Sequence, residues 1–210
     1  MEDFYWGKIF GKKEEPPKEG AKAQSEEKVR PSFIEVVENR IYFYSDINTD
    51  KILQLNRHLR SKGIDLQREA MIQDREPANI YIHIQSYGGS VFAGMAGMDE
   101  IIKSIVPVYT MIDGCCASAA TFLSVCGKKR FINRHAYMLI HQLSSFFWGK
   151  YEEFKDEKQN LDKIMEMIKK VYAEYTKIPT NKLEEILKHD LWFDANECIE
   201  YGLVDEIVVS

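Results

Sequence analysis

The feature that most constrains this chain is a repeated order of apolar strand, glycine-containing turn and apolar helix. The order occurs first at 80–103, where IYIHI precedes SYGG and a helix-like stretch from residue 91. It occurs again at 108–125, where VYTMI precedes DG and a second helix is expected over 117–125. Strands that alternate with helices at this spacing favour a parallel sheet with right-handed crossovers. The sequence therefore predicts an α/β fold.

Local composition predicts the remaining elements. FIEVV and RIYFY are rich in branched and aromatic residues, which is typical of strands. A helix is expected over 49–62, ending before Gly63, because glycine commonly follows a helix C-terminus. Asp194 and Glu197 form a capping-box pattern at the start of a last helix, which should end at Gly202. Further strands are expected around 131, at 137–140 and at 206–209.

One amphipathic segment is much longer than the other predicted helices. Apolar side chains recur at helical spacing through 152–177, and nothing breaks the pattern before Pro179. A helix of this length could project beyond the core and pack against another subunit. It could equally lie along the surface of its own domain, and periodicity alone favours neither arrangement.

Length and composition indicate a single folded domain. The chain has 210 residues, of which 45% are hydrophobic, and this is enough for one substantial core. Residues 12–30 mix both charges with Pro, Gly and Ala and contain almost no large apolar side chain. Such a segment cannot bury enough surface to offset its chain entropy. We therefore predict a flexible charged extension at 1–31 and a folded domain at 32–210.

Several function classes are disfavoured by the same composition. A net charge of −5 does not suit a nucleic-acid-binding surface. The apolar run at 106–125 is interrupted by Asp113 and Gly114, so it is not expected to span a membrane, and no apolar stretch of signal-peptide length opens the chain. The four cysteines lack CxxC spacing, and no GxxxxGK[ST] stretch occurs. We expect a cytoplasmic protein with reduced thiols, no metal and no cofactor.

Three nucleophile-capable side chains lie close together: Cys115, Cys116 and Ser118. Ser118 is expected at the start of an apolar helix, where unpaired N–H groups and the helix dipole stabilise negative charge. Most serines in such positions are simple helix caps, so Ser118 by itself predicts no chemistry.

Two other features could cooperate with this serine. The SYGG turn lies between a strand and a helix, and its glycines let backbone N–H groups approach a substrate. His141 ends the apolar strand YMLIH, at the edge of the sheet where active-site side chains gather, and could serve as a general base. A carboxylate that orients this histidine must come from elsewhere in the chain. The candidates are Asp190, Asp194 and Asp205.

Four segments taken together resemble the proteolytic subunit of the Clp protease family. They are IYIHIQSYGGSVFAGM, GCCASAATFL, YMLIHQ and HDLWFDANECIEYGLVDEI; they occur in the family's order, and the resemblance covers roughly residues 33–209. Each fragment alone is a weak signal, but their joint occurrence is specific. The resemblance implies the ClpP/crotonase-like α/β fold of repeated ββα units, with the helix at 152–177 as a long protruding handle.

The same resemblance assigns roles to residues. Ser118 takes the position of the nucleophile, His141 that of the general base, and Asp190 that of the residue that holds the imidazole in the correct tautomer. The backbone N–H groups of Gly89 and Ala119 match the oxyanion hole. The implied activity is that of a serine endopeptidase that degrades unfolded proteins and peptides.

The resemblance also implies partners. Such subunits form two stacked heptameric rings that enclose a chamber, with the handle helix making the ring-to-ring contact. A Clp-type ATPase unfoldase would feed unfolded polypeptide into this homo-oligomer. The chain itself carries no ATP-binding motif, so energy would come from that partner.

The chain departs from the family pattern at several places, and alternatives stay open. Tyr87 stands where a proline usually precedes the paired glycines. Phe146, Phe147 and Trp148 replace a Pro- and Gly-rich strand, and they would line a substrate groove, strengthen a ring contact or pack in the core. A crotonase-type acyl-CoA enzyme shares the superfold, and a catalytically silent ring subunit is a second alternative. Cys116 as the nucleophile is a third, although no second base is matched to it.

Overall fold

The computed structural model of the chain describes residues 33–209, so the extension predicted at 1–31 lies outside the described residues. The elements of the described part are β1 (Phe33–Val37), β2 (Arg40–Tyr44), α1 (Thr49–Gln73), β3 (Ile80–Ser86), α2 (Val91–Ile102), β4 (Val108–Ala117), α3 (Ala120–Val125), β5 (Lys129–Asn133), β6 (Tyr137–Leu139), α4 (Tyr151–Tyr175), α5 (Thr180–Leu187), β7 (Trp192–Phe193), α6 (Ala195–Glu200) and β8 (Glu206–Val208).

The strands join in one mixed sheet with the main order β1-β2-β3-β4-β5-β8. From β2 to β8 every neighbouring pair in this order is parallel, and β1 joins β2 as an antiparallel hairpin. Helices return the chain between parallel strands, and α2 packs against both α1 and α3. The predicted α/β fold is confirmed.

Strand β4 changes its neighbour halfway along, which places the site described below. Its first half pairs with β5 up to Ile112, and its second half pairs with β6 from Cys115. The turn expected at Asp113 and Gly114 is therefore wrong, whereas the helix expected over 117–125 is present but begins three residues later, at Ala120. The strand continues because β6 supplies new hydrogen-bonding partners beyond the glycine. The pairing with β3 shifts register at the same point, as it does at a β-bulge.

Helix α1 is longer than its sequence predicts, since it runs past Gly63 to Gln73. Gly63 is not a C-cap but a close-packing position: a Cβ there would lie 3.2 Å from Cγ1 of Ile105. The C-cap is instead Asp74, which directly follows Gln73 and adopts the left-handed conformation with φ 47°. The last helix, α6, begins as predicted, with Asp194 and Glu197 in a capping box.

Helix α4 confirms the prediction of one long helix and settles which of its parts packs on the domain. Its buried side chains are Ile164, Ile168 and Tyr172, all in the second half and four residues apart. The first half buries no side chain against the described residues. Within residues 33–209, no helix combines the length and the apolar character that a membrane crossing requires.

Candidate active site

Ser118 lies in the turn that joins β4 to α3. Its φ of 61° is in the left-handed region, which serine seldom adopts. The N–H of Ser118 donates to the carbonyl of Leu139 in β6 at 2.8 Å, and its carbonyl accepts from the N–H of Thr121 at 2.9 Å. The turn is therefore held from both ends. The side chain of Ser118 is fully buried, and Oγ makes no hydrogen bond within residues 33–209.

The SYGG turn packs directly against this serine. Gly88 and Gly89 both have positive φ, 98° and 146°. A Cβ on Gly88 would lie 2.5 Å from Cβ of Ser118, and one on Gly89 would lie 2.2 Å from the carbonyl oxygen of Ile47. Only glycine fits at either position, because the turn is confined between these two neighbours.

The contact with Ile47 also fixes the direction of the glycine backbone. The N–H of Ile47 donates to the carbonyl of Gly88, and the N–H of Ser90 donates to the carbonyl of Ile47, both at 2.8 Å. These bonds make Ile47 and Gly89 a parallel bridge. In such a bridge the middle residue's own N–H points to the opposite side. The N–H of Gly89 is thus turned away from Ile47.

His141 follows β6, which runs parallel to the second half of β4, with Leu139 opposite Ala117. Its Nδ1 lies 3.1 Å from Oδ1 of Asp190. The side chain of His141 is only 8% exposed, whereas that of Asp190 is 75% exposed. Burial lowers the pKa of His141, and the charge of Asp190 partly opposes this effect. The neutral imidazole is thereby favoured at neutral pH, as a general base requires.

Asp190 reaches the histidine because the end of α5 is tied to the segment after β6. The N–H of Gln142 donates to the carbonyl of Leu187 at 2.7 Å. The two other candidate carboxylates are engaged elsewhere. Asp194 caps α6, and Asp205 forms an ion pair with Arg130. Of the three aspartates that the sequence leaves open, the structure brings Asp190 to His141.

The hydrogen bond between Ser118 and His141 is not formed in this conformation, because Oγ of Ser118 has no hydrogen-bond partner in the described part of the chain. The two residues nevertheless follow neighbouring parallel strands at the same edge of the sheet. Catalytic hydrogen bonds are often long without substrate and shorten in the complex. Ala119, whose N–H is the second expected oxyanion donor, is buried beside Ser118 at the start of α3.

The adjacent cysteines lie before the left-handed turn, within β4. Cys116 is fully buried, and burial raises the pKa of its thiol well above the usual value. A thiol that stays protonated is a poor nucleophile. Cys115 is only partly buried, and neither cysteine forms a disulfide bond within residues 33–209.

Aromatic residues near the site follow the departures seen in the sequence. Tyr87 packs edge-on against Trp192, with ring centroids 6.4 Å apart. Phe146 and Trp148 are 86% and 89% exposed, which excludes core packing from the three options for these two residues. Phe147 is less exposed and packs against Phe154 of α4. The contact between Tyr87 and Trp192 could not be foreseen, because residues so distant in sequence meet only through the fold.

A serine on a left-handed turn, a histidine in contact with an aspartate and a neighbouring glycine turn together resemble the arrangement found in serine hydrolases with a Ser-His-Asp triad. The family model described as Clp protease matches residues 37–210. The chain belongs to the Clp protease family.

Individual relatives agree with this assignment. The ATP-dependent Clp protease proteolytic subunit 2 of Treponema denticola is 33% identical over 168 residues, covering 77% of this chain and 82% of the relative. Proteolytic subunit 1 of Chlamydia pneumoniae is 30% identical over 181 residues, covering 84% of this chain and 90% of the relative. Among solved structures, a point mutant of ClpP1 from Listeria monocytogenes matches with a TM-score of 0.71 at 24% identity, over 82% of this chain and 92% of that one. The structural likeness supports the fold.

Proposed function

We propose that this chain is the proteolytic subunit of a compartmentalised serine protease that degrades unfolded proteins and peptides. The observation that carries the proposal is the 3.1 Å contact between His141 and Asp190 beside a buried serine in a left-handed turn. Membership of the Clp protease family supports a peptidase over an acyl-CoA enzyme. The names of the relatives, which are proteolytic subunits, support the same choice.

The proposed chemistry is acyl transfer in two halves. Oγ of Ser118 attacks the carbonyl carbon of the scissile bond while its proton passes to Nε2 of His141. The C–N bond then breaks, the amine leaves with that proton, and an ester remains on Ser118. A water molecule, deprotonated by His141, attacks the ester, and the carboxylic acid product leaves as the serine regains its proton.

Two further groups support this sequence of steps. Asp190 holds Nδ1–H of His141, so that Nε2 is free of its proton and directed towards the serine. The N–H groups of Gly89 and Ala119 stabilise the negative oxygen of the tetrahedral intermediate, which is worth about 3 kcal/mol per donor in other enzymes. Both halves require the Ser118–His141 distance to close when substrate binds.

Chemical labelling tests the proposal directly. A fluorophosphonate should add one phosphonyl group to Ser118, found by mass spectrometry of peptides, and should stop hydrolysis of a fluorogenic peptide. Ser118→Ala should take no label and show no hydrolysis. Full activity in Ser118→Ala, or a label on another residue, would refute the serine mechanism. A folded, unlabelled and inactive wild-type chain would instead support a silent ring subunit.

The proposed assembly is a homo-oligomer of two stacked heptameric rings that works with a Clp-type ATPase. The first half of α4 buries no side chain against residues 33–209, and the neighbouring Phe146 and Trp148 are almost fully exposed. An apolar patch of this kind favours contact with another subunit. Sedimentation of the whole chain should give the mass of fourteen subunits, and Trp148→Glu should reduce it. A monomer at micromolar concentration would contradict the assembly.

We also propose a cytoplasmic location. The four cysteines form no disulfide bond within residues 33–209, and three of them are buried, which suits a reducing compartment.

A further inference from the structure

Three buried groups form a hydrogen-bonded chain from α4 to the turn that carries Ser118. The hydroxyl of Tyr172 lies 2.7 Å from Oγ1 of Thr121, and Oγ1 of Thr121 lies 2.6 Å from the carbonyl oxygen of Ser118. All three residues are fully buried. The carbonyl can only accept, so the single hydroxyl hydrogen of Thr121 is directed at Ser118. Tyr172 must therefore be the donor to Thr121.

This chain of hydrogen bonds determines the direction of the N–H of Ala119, which lies across the Ser118–Ala119 peptide from the carbonyl. The carbonyl of Ser118 and the N–H of Ala119 belong to one planar peptide unit, in which they point in opposite directions. Whatever holds the carbonyl towards Thr121 therefore turns the N–H of Ala119 away from Thr121. That N–H is the group proposed above as an oxyanion donor.

We propose that Thr121 and Tyr172 are positioning residues that aim the N–H of Ala119 at the oxyanion. The inference rests on the proposed function, because it concerns a donor of that site. Neither residue touches substrate; both act through the Ser118–Ala119 peptide.

The backbone conformation explains why side chains are needed here. Ser118 has φ 61°, and a non-glycine residue keeps such a conformation only when its surroundings hold it there. The N–H of Thr121 already bonds the same carbonyl, but α3 has only six residues and is a short support. The hydroxyl of Thr121 adds a second bond, and donation from Tyr172 strengthens it by polarisation.

The link also joins the turn to α4. Tyr172 belongs to the buried half of that helix, and its ring packs on Phe122 of α3 with centroids 6.0 Å apart. Burial raises the pKa of Tyr172, so its hydroxyl keeps the proton that it donates.

Tyr172→Phe is the central test, because it removes one hydroxyl and keeps the ring. We expect kcat for a fluorogenic peptide to fall roughly three- to tenfold with KM unchanged, since a misdirected oxyanion donor weakens the transition state alone. The affinity for a peptide boronate, whose oxygen occupies the oxyanion position, should fall by the same factor. The affinity for a product peptide and the pH midpoint of activity should not change.

Matched variants distinguish an effect on the orientation of the Ala119 N–H from an effect on the packing of α4. Thr121→Val should lower kcat by about 10- to 100-fold, and Thr121→Ser, which keeps the hydroxyl, should retain most of it. Ile168→Val alters the same buried face of α4 without touching a hydrogen bond, and it should leave kcat and boronate affinity as they are. Circular dichroism and sedimentation of each variant report folding and assembly. If Thr121→Val does not fold, Tyr172→Phe and Thr121→Ser decide.

Two results would overturn the inference. One is a folded Tyr172→Phe protein with wild-type kcat and boronate affinity. The other is an equal loss in Ile168→Val, which would mean that packing alone matters. Activity in Ser118→Ala would refute the proposed serine mechanism itself, so the two failures are distinguishable.

Discussion

Two turns at the same edge of the sheet both contain backbone with positive φ, but they place different residues in that conformation. The turn after β3 places glycine at both of its left-handed positions, Gly88 and Gly89. The turn after β4 places a serine, Ser118, in the left-handed region. In the first turn, the backbone fits between Ser118 and Ile47 because the two glycines have no side chains. The second keeps a side chain at a cost in strain of about 1–2 kcal/mol.

The difference teaches which turn contributes backbone and which contributes a reacting group. A glycine offers only its backbone N–H and carbonyl groups, whereas a strained serine also presents a hydroxyl in a fixed direction. Natural chains tolerate such strain mainly at functional sites. The comparison therefore predicts that substitutions in the two turns fail for different reasons.

The largest effect is expected at the serine turn. Ser118→Ala keeps the strain and removes the hydroxyl, so kcat/KM for a fluorogenic peptide should fall by at least about 10⁴-fold. Thermal stability should stay close to wild type, because alanine has a similar cost at positive φ. A large loss of stability would mean that the hydroxyl is structural and would weaken the contrast between the turns.

The next effect is expected at the glycine turn. Gly88→Ala would place a Cβ 2.5 Å from Cβ of Ser118, so the two turns must separate. We expect a loss of about 10²- to 10³-fold in kcat, since the oxyanion donors and the nucleophile are displaced together. Gly114→Ala is the control, because its Cβ would meet only the mobile end of Gln85, at 2.8 Å. Equal losses in both variants would contradict the explanation.

Replacing Ser118 by glycine would give both turns a glycine at their positive-φ positions. Ser118→Gly removes the strain of φ 61° along with the hydroxyl. Compared with Ser118→Ala, we expect a gain of about 1 kcal/mol in the free energy of unfolding, because glycine adopts positive φ freely. Denaturant titration of Ser118→Gly and Ser118→Ala measures this difference in the free energy of unfolding. No difference between them would show that the turn stores no strain.

The pH dependence of kcat/KM should come from His141, the proposed partner of the serine turn. Burial lowers the pKa of His141 below 6.5. A general base must be neutral, so kcat/KM should rise with pH and reach half its plateau below pH 6.5. A midpoint above that value would show that the charge of Asp190 outweighs burial.

The smallest effect is expected at Cys116, two residues before the serine. Cys116→Ser should leave kcat/KM within about twofold of wild type, because the buried thiol stays protonated and takes no part. Burying a hydroxyl in its place should cost about 1–3 kcal/mol of stability. A loss of activity as large as that of Ser118→Ala would make the thiol the nucleophile.

Much of the fold and of the candidate site could be predicted from residue patterns, but not the features that depend on distant contacts. Apolar runs, glycines and the capping box of α6 predicted most elements closely. The course of α1 past Gly63 depends on its packing against Ile105, some forty residues later. The extension of β4 depends on β6, which no local pattern in β4 announces. Tertiary partners override local signals in both cases.

The residues of the candidate site also divide into those with a local sequence signal and those that only the fold brings together. Ser118, His141 and the paired glycines carry local signals, because each ends a strand or marks a turn. The residues alone left three aspartates open, and only the fold brings Asp190 to the imidazole. The pairing of Thr121 with Tyr172, 51 residues apart, has no signal in either segment.

The exposure of Asp190 has a consequence for the conditions under which the enzyme works. A carboxylate with 75% of its side chain in solvent acts on His141 through water as well as through its 3.1 Å contact. Mobile ions weaken such an interaction, since the Debye length falls from about 10 Å at 0.1 M salt to about 3 Å at 1 M. The pKa of His141 should therefore depend on ionic strength, and concentrated salt should lower it.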